Sequence, residues 1–209
     1  MQAVTTVGQR GRIGGVVIGI VTDNADPEGL GRVRVRFPGL SDDDIGHWAR
    51  IATLMAGTGR GTFFLPEVDD EVLVAFENGD ITRPYVLGAL WNGEDAPPDT
   101  NADGSNNLRF IRSRSGHIIR LDDTDGSEKI EVIDKSEGNT ITIDTANNTI
   151  TISSSKDINI EASQGTIKIS GQNIEISSTS ATKVEAQGGL TLDGSPGNTD
   201  IKGTMINLN

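Results

Sequence analysis

The chain has 209 residues and a formal charge of −12, with 18 Lys and Arg against 30 Asp and Glu, no cysteine and 4% aromatic residues. That balance excludes a disulfide framework or a thiolate metal site, and it argues against nucleic acid as a partner, because phosphate binding needs clustered cations. Its 26 glycines, with many Ser, Thr and Asn and no long apolar period of 3.6, predict an all-β chain of short strands and tight turns.

Residues 1–12 are polar, carry Arg10 and Arg12, and read as a solvated N-terminal tail. The apolar run at 14–21 is too short to span a bilayer and is not followed by a secretory cleavage site, so assembly in a bacterial cytoplasm is expected. Five strands follow, at 16–22, 32–37, 47–52, 71–77 and 84–90. The second alternates strictly, with Val33, Val35 and Phe37 to one side and Arg32, Arg34 and Arg36 to the other. Asp26-Pro27-Glu28-Gly29 and Asn78-Gly79-Asp80 have turn chemistry. Five short strands without a helix suit a small closed barrel, because closure removes exposed edges; an OB-like Greek-key barrel over 13–93 is the expectation.

The run FFLPEVDDEVLVAFENGDITRPYVLGALWNG at 63–93 closely resembles the OB-domain signature of phage baseplate assembly protein V and of the VgrG spike proteins of type VI secretion. GRVRVRFPG at 31–39 and HWARIATLMAGTGRG at 47–61 match the earlier strands of that family in the same order, and SGHIIRLDDTDGSEKI at 115–130 resembles the start of its triple-stranded β-helix. The resemblance implies a homotrimeric, membrane-piercing central spike of a contractile injection system, whether phage tail, tailocin, extracellular system or type VI-like. It would be part of a virion or other phage-tail-like particle, docked on a baseplate hub protein and driven into the target cell envelope. VgrG proteins usually carry a large hub region before the barrel. This sequence starts directly at the barrel, so the expectation is the phage-type arrangement with a separate hub, or a shortened chain. An OB barrel also invites nucleic acid, but Trp48, Phe63, Phe64, Tyr85 and Trp91 sit among many acids. They read instead as barrel core or as surface that packs on neighbouring subunits.

Residues 94–114, with Pro97-Pro98 and many Asp, Asn and Gly, read as a connector too short to hold the lysozyme-like domain some members of that family carry. From 115 to 209 a needle is expected. Its mark is five triplets, Ile141/Ile143, Ile150/Ile152, Ile158/Ile160, Ile167/Ile169 and Ile174/Ile176, each with a polar residue between. Side chains at i and i+2 of a strand share a face, so these isoleucines line one wall and form the needle core. A spacing near eight residues is a β-solenoid signature.

One such ladder leaves its isoleucines without cover, and ordering the backbone costs about 1–2 kcal/mol per residue that the lone ribbon does not recover. Three copies about one axis would supply the missing walls and pair backbone groups between chains. A single-chain β-helix is the competing structure, but it would be short and uncapped.

Beyond 177 the rhythm loosens through Val184, Leu190, Leu192 and Ile201 to Met205, Ile206, Leu208 and Asn209. Some phage spikes end in histidines that hold a metal; here the histidines are His47 and His117, far upstream. Met205, Ile206, Leu208 and Asn209 are therefore expected to form a blunt apolar end that a PAAR-like tip protein covers, with a simple plug of the prism as the alternative.

No catalytic, cofactor or metal residue is expected. Asp42-Asp43-Asp44 and Glu67, Asp69, Asp70 and Glu71 read as solvated loop acids, since acid-base work needs partial burial. The glycines at 57–61 lack a phosphate-loop ending. Arg114, Ser115 and His117 could hold an anion or metal where three copies meet, although packing is the preferred reading. The contrasting functional hypothesis is an enzyme degrading envelope polysaccharide or peptidoglycan on a β-helix scaffold.

Overall fold

In strand 32–37 the valines face one way and the arginines the other, and the fold follows from that alternation. The computed structural model describes residues 12–40 and 46–206. Strands β1 (Val16–Asp23), β2 (Val33–Arg36), β3 (His47–Ile51), β6 (Glu71–Phe76) and β7 (Pro84–Ala89) close into a barrel in the order β1-β2-β3-β7-β6. Only the β3–β7 pair is parallel, with Arg50 opposite Tyr85 and Ile51 opposite Val86. Between β3 and β6 a two-rung hairpin stands apart, β4 (Ala56–Gly57) and β5 (Arg60–Gly61). The expected OB-like barrel is the observed one, and the described residues are all-β apart from a single 3-10 turn, Glu77–Gly79.

Val21, Val33, Val35, Phe37, Ala49, Val72, Val74, Phe76 and Val86 fill the barrel. Phe37 and Phe76 meet edge to face at 5.0 Å. Gly19 also points inward, because a Cβ there would lie 2.3 Å from Val35 Cγ1 and against the Phe37 ring. Bulges between Val21 and Asp23 in β1 and between Leu73 and Val74 at the β6–β7 pair bend the strands around so small a core. At the β6–β7 corner Asn78 and Gly79 both have positive φ, 52° and 78°. A side chain at Gly79 would press on the backbone of Ile13, whose N–H donates to the Gly79 carbonyl at 2.9 Å.

Turns built on Asn92, Asp99, Asn101 and Asp103, each accepting backbone N–H bonds, follow the barrel. A second sheet then runs as an antiparallel meander: β8 (Leu108–Arg112), β9 (Ile118–Asp122), β10 (Lys129–Ile133), β11 (Asn139–Asp144) and β12 (Thr149–Ser154). Strand β8 lies within the segment read as connector. Backbone pairing over 108–154 is supplied by the chain itself, where the sequence reading looked to partner chains, because turns of four to six residues let each strand fold back on the last.

The chain divides into two compact units, Met1–Ser155 and Lys156–Asn209. In the second, the described residues form no strand ladder and nearly all are exposed. The triplets at 158–160, 167–169 and 174–176 thus belong to no strand ladder among the described residues.

Candidate assembly surface

The registers of the meander put nine of its aliphatic side chains on one face, while Leu108, Ile118 and Ile133 fall on the other. Ile111 is opposite Ile119, Ile119 and Leu121 are opposite Val132 and Ile130, and these are opposite Ile141 and Ile143, which in turn face Ile152 and Ile150. Every one of them is open to solvent, from 40% for Ile143 to 73% for Ile150. The other face carries the rung Phe110, Arg120, Glu131, Thr142 and Thr151. Its centre is closed: Arg120 donates from Nε and Nη2 to Glu131 Oε2 at 2.9 and 2.6 Å, and Lys129 Nζ lies 3.6 Å from Oε1. Glu131 is 8% exposed. Burial between the two faces is therefore uneven, with a glutamate covered and Ile118 and Ile133 half-buried on one face while the nine aliphatic residues of the other are bare, unlike a sheet complete by itself.

Each turn of the meander begins with a strand-ending carboxylate or hydroxyl. Asp122 accepts from the Thr124 N–H and hydroxyl, Asp134 from Ser136 and Asn139, and Asp144 from the Asn147 N–H and side chain. These side-chain bonds hold all three carboxyls below the usual aspartate range. Ser113 plays the same part before His117, whose N–H it accepts at 3.0 Å.

The expected needle-core residues fall into two groups. Ile141, Ile143, Ile150 and Ile152 come together on β11 and β12, whereas Ile158, Ile160, Ile167, Ile169, Ile174 and Ile176 lie in the second unit, each 49–78% exposed. Of the expected tip residues, Met205 and Ile206 are exposed at 79% and 50%; Leu208 and Asn209 fall outside the described residues, as do Arg10 and Asp42-Asp43-Asp44.

Phe63, Phe64 and Trp91, read as core or packing surface, are not core: they are 65–76% exposed. Together with Leu54 and Met55 they flank the β4–β5 hairpin or follow the barrel. Sequence reasoning missed this hairpin because it is two residues per strand and carries no alternation. Trp48 and Tyr85 lie half-buried on the outer barrel wall, where Arg34 sits 4.7 Å over the Trp48 ring and Arg50 5.6 Å over the Tyr85 ring.

The loop acids are solvated and locally used. Glu67 pairs with Arg114 at 3.0 Å, and Asp70 accepts the Glu67 N–H. His117 Nδ1 accepts the Lys135 N–H at 3.2 Å, and His47 stacks against Phe37 at 6.5 Å. Among the described residues, no group of three His, Asp or Glu side chains is arranged to hold a metal, and no helix is long and apolar enough to cross a membrane.

Residues 17–91 match the family described as the type VI secretion system/phage-baseplate injector OB domain. The type VI secretion system spike protein VgrG1a of Pseudomonas aeruginosa is 28% identical over 134 residues, covering 59% of this chain and 21% of that protein. VgrG1c of the same organism is 29% identical over 132 residues, 58% of this chain and 18% of that protein. For VgrG4b the identity is 32% over 126 residues, 56% of this chain and 16% of that protein. The chain thus spans about a fifth of the length of these relatives. Its barrel matches the injector OB domain family, and the chain is similar over 126–134 residues to VgrG spike proteins.

Proposed function

We propose that this chain is a structural protein, the central spike of a contractile injection apparatus, and that it works as a homotrimer. The observation that carries the reading is the open aliphatic face of the 108–154 sheet beside its closed Arg120–Glu131 rung. Burying one isoleucine contributes about 1.5–3 kcal/mol, so a face of this size favours association as soon as copies meet. Three sheets packed by their apolar faces would make a prism, and the exposed triplets of the second unit would extend the same core. The needle core is then Ile141, Ile143, Ile150, Ile152, Ile158, Ile160, Ile167, Ile169, Ile174 and Ile176.

In this reading the barrel docks on a baseplate hub, sheath contraction supplies the work, and the trimer transmits thrust to the target envelope. The similarity to spike proteins supports that role. The second unit ends with Met205, Ile206, Leu208 and Asn209 as the seat of a PAAR-like tip protein.

Sedimentation of the full chain tests the assembly. The expected species has three times the mass of one chain, and the double variant Ile143→Asp/Ile152→Asp leaves a monomer whose barrel still melts cooperatively. A wild-type protein that stays monomeric at every accessible concentration rules the trimer out. For the tip, Ile206→Asp should abolish capture of a PAAR-like protein while preserving the trimer; retained capture refutes the seat.

A further inference from the structure

The outer wall of the barrel formed by β2, β3 and β7 carries a ladder of cations on aromatic rings. Arg34 and Arg32 lie 4.7 and 5.7 Å from the Trp48 ring centre, and Arg50 lies 5.6 Å from that of Tyr85. Beside them runs an open groove of about 570 Å3, lined by Leu30, Arg32, Trp48, Arg50, Arg83 and Tyr85. It sits between the β1–β2 and β6–β7 loops, the wall on which barrels of this topology lay extended ligands.

The chain has an excess of acids, 30 against 18 cations, so an arginine should find a carboxylate easily. Arg32 does, with Asp26 and Glu28, and Arg83 pairs loosely with Glu77 at 3.4 Å. Arg34, Arg36 and Arg50, all on this wall, have no carboxylate partner among the described residues. Arg34 Nε is moreover shut off from solvent with no acceptor. Arg34 and Arg50 have aromatic faces under them and no counter-ion above them, an arrangement that an arriving carboxylate would complete.

We infer that this wall is a docking surface for an extended, acidic segment of a protein partner, one whose carboxylates are separated by apolar residues. The carboxylates bind Arg34 and Arg50, and the apolar residues lie on Leu30 and the exposed edges of Trp48 and Tyr85. A continuous polyanion suits the wall less well, because Glu77 lines the groove and Glu28 and Asp80 are bonded to its lining residues Arg32 and Thr82, so successive phosphates would meet these acids. An isolated carboxylate steps between those acids. The surface belongs to the barrel, so it stands or falls separately from the trimer and the spike.

The test uses the full chain and a labelled short peptide of alternating Glu and Leu. The same peptide with Gln for Glu, and a short oligothymidylate, serve as competitors. Expected are binding of the Glu peptide that weakens as salt is raised, a loss of about tenfold or more in Arg50→Gln, a similar loss in Arg34→Gln, and an unchanged melting temperature for Arg50→Gln, whose side chain is exposed. The inference is overturned if the Gln peptide binds as well as the Glu peptide, if Arg50→Gln binds normally, or if oligothymidylate binds more tightly than the Glu peptide.

Discussion

Asp26 organises more of the barrel than its place in a surface loop suggests. Its Oδ1 accepts from the Glu28 N–H and Arg32 Nη2, and its Oδ2 from the Leu30 and Arg32 N–H groups and Arg32 Nε. The Arg32 fork, reinforced by these backbone donors, holds the carboxyl far below the usual aspartate range. A folded value below the unfolded one, about 3.9, means the contribution to stability is complete above roughly pH 4 and is lost as pH falls toward the folded value. Asp26→Asn should therefore melt lower than wild type at pH 7, with the gap shrinking as pH drops below about 4 in thermal scans; a constant gap means the charge is not what matters. Gly19 works through space instead. Gly19→Ala forces a methyl into Val35 and should cost about 1–3 kcal/mol in urea unfolding.

At the level of the strand, hydrogen-bonded rungs decide which face of the second sheet is closed. Arg120 and Glu131 are opposite each other in the ladder, and among the described residues Glu131 has only Lys129 as a further cation. Arg120→Met removes the fork and leaves a covered carboxylate, a loss of about 1–3 kcal/mol measured as earlier melting of the sheet. The pair Arg120→Met/Glu131→Leu should recover most of it, because removing both partners strands no charge. These rungs were partly legible in sequence. Val33, Val35 and Phe37 gave away the barrel wall by strict alternation, and Ile141/Ile143 and Ile150/Ile152 gave away one shared face. Antiparallel pairing of β11 with β12 was not legible, since a period near eight fits a strand that folds back as well as one that winds forward. Nor was the Arg–aromatic wall: Trp48 and Tyr85 are 37 positions apart in sequence, and only the parallel β3–β7 pairing brings Arg50 beside Tyr85. Exposure of Phe63, Phe64 and Trp91 likewise depends on where the chain leaves the barrel, which residue type does not encode.

Across the whole molecule two forces oppose each other. The apolar face of the second sheet and the bare triplets favour gathering copies, while a charge of −12 per chain makes the copies repel. If burial of isoleucine drives association, adding salt shortens the Debye length from about 30 Å at 0.01 M to about 8 Å at 0.15 M, weakens the repulsion and leaves the apolar term intact. The assembled fraction should then rise with ionic strength. The transition that reports the sheet should also move to higher temperature as protein concentration rises, because only the associated state is stabilised by mass action. The barrel has its own closed core of Val21, Val35, Phe37, Val74 and neighbours, so its transition should not move. Sedimentation equilibrium at low and moderate salt, with calorimetry at two protein concentrations, separates the cases. Dissociation on adding salt would mean that ion pairs between copies, and not the aliphatic face, hold the assembly, and the isoleucine wall would lose its role.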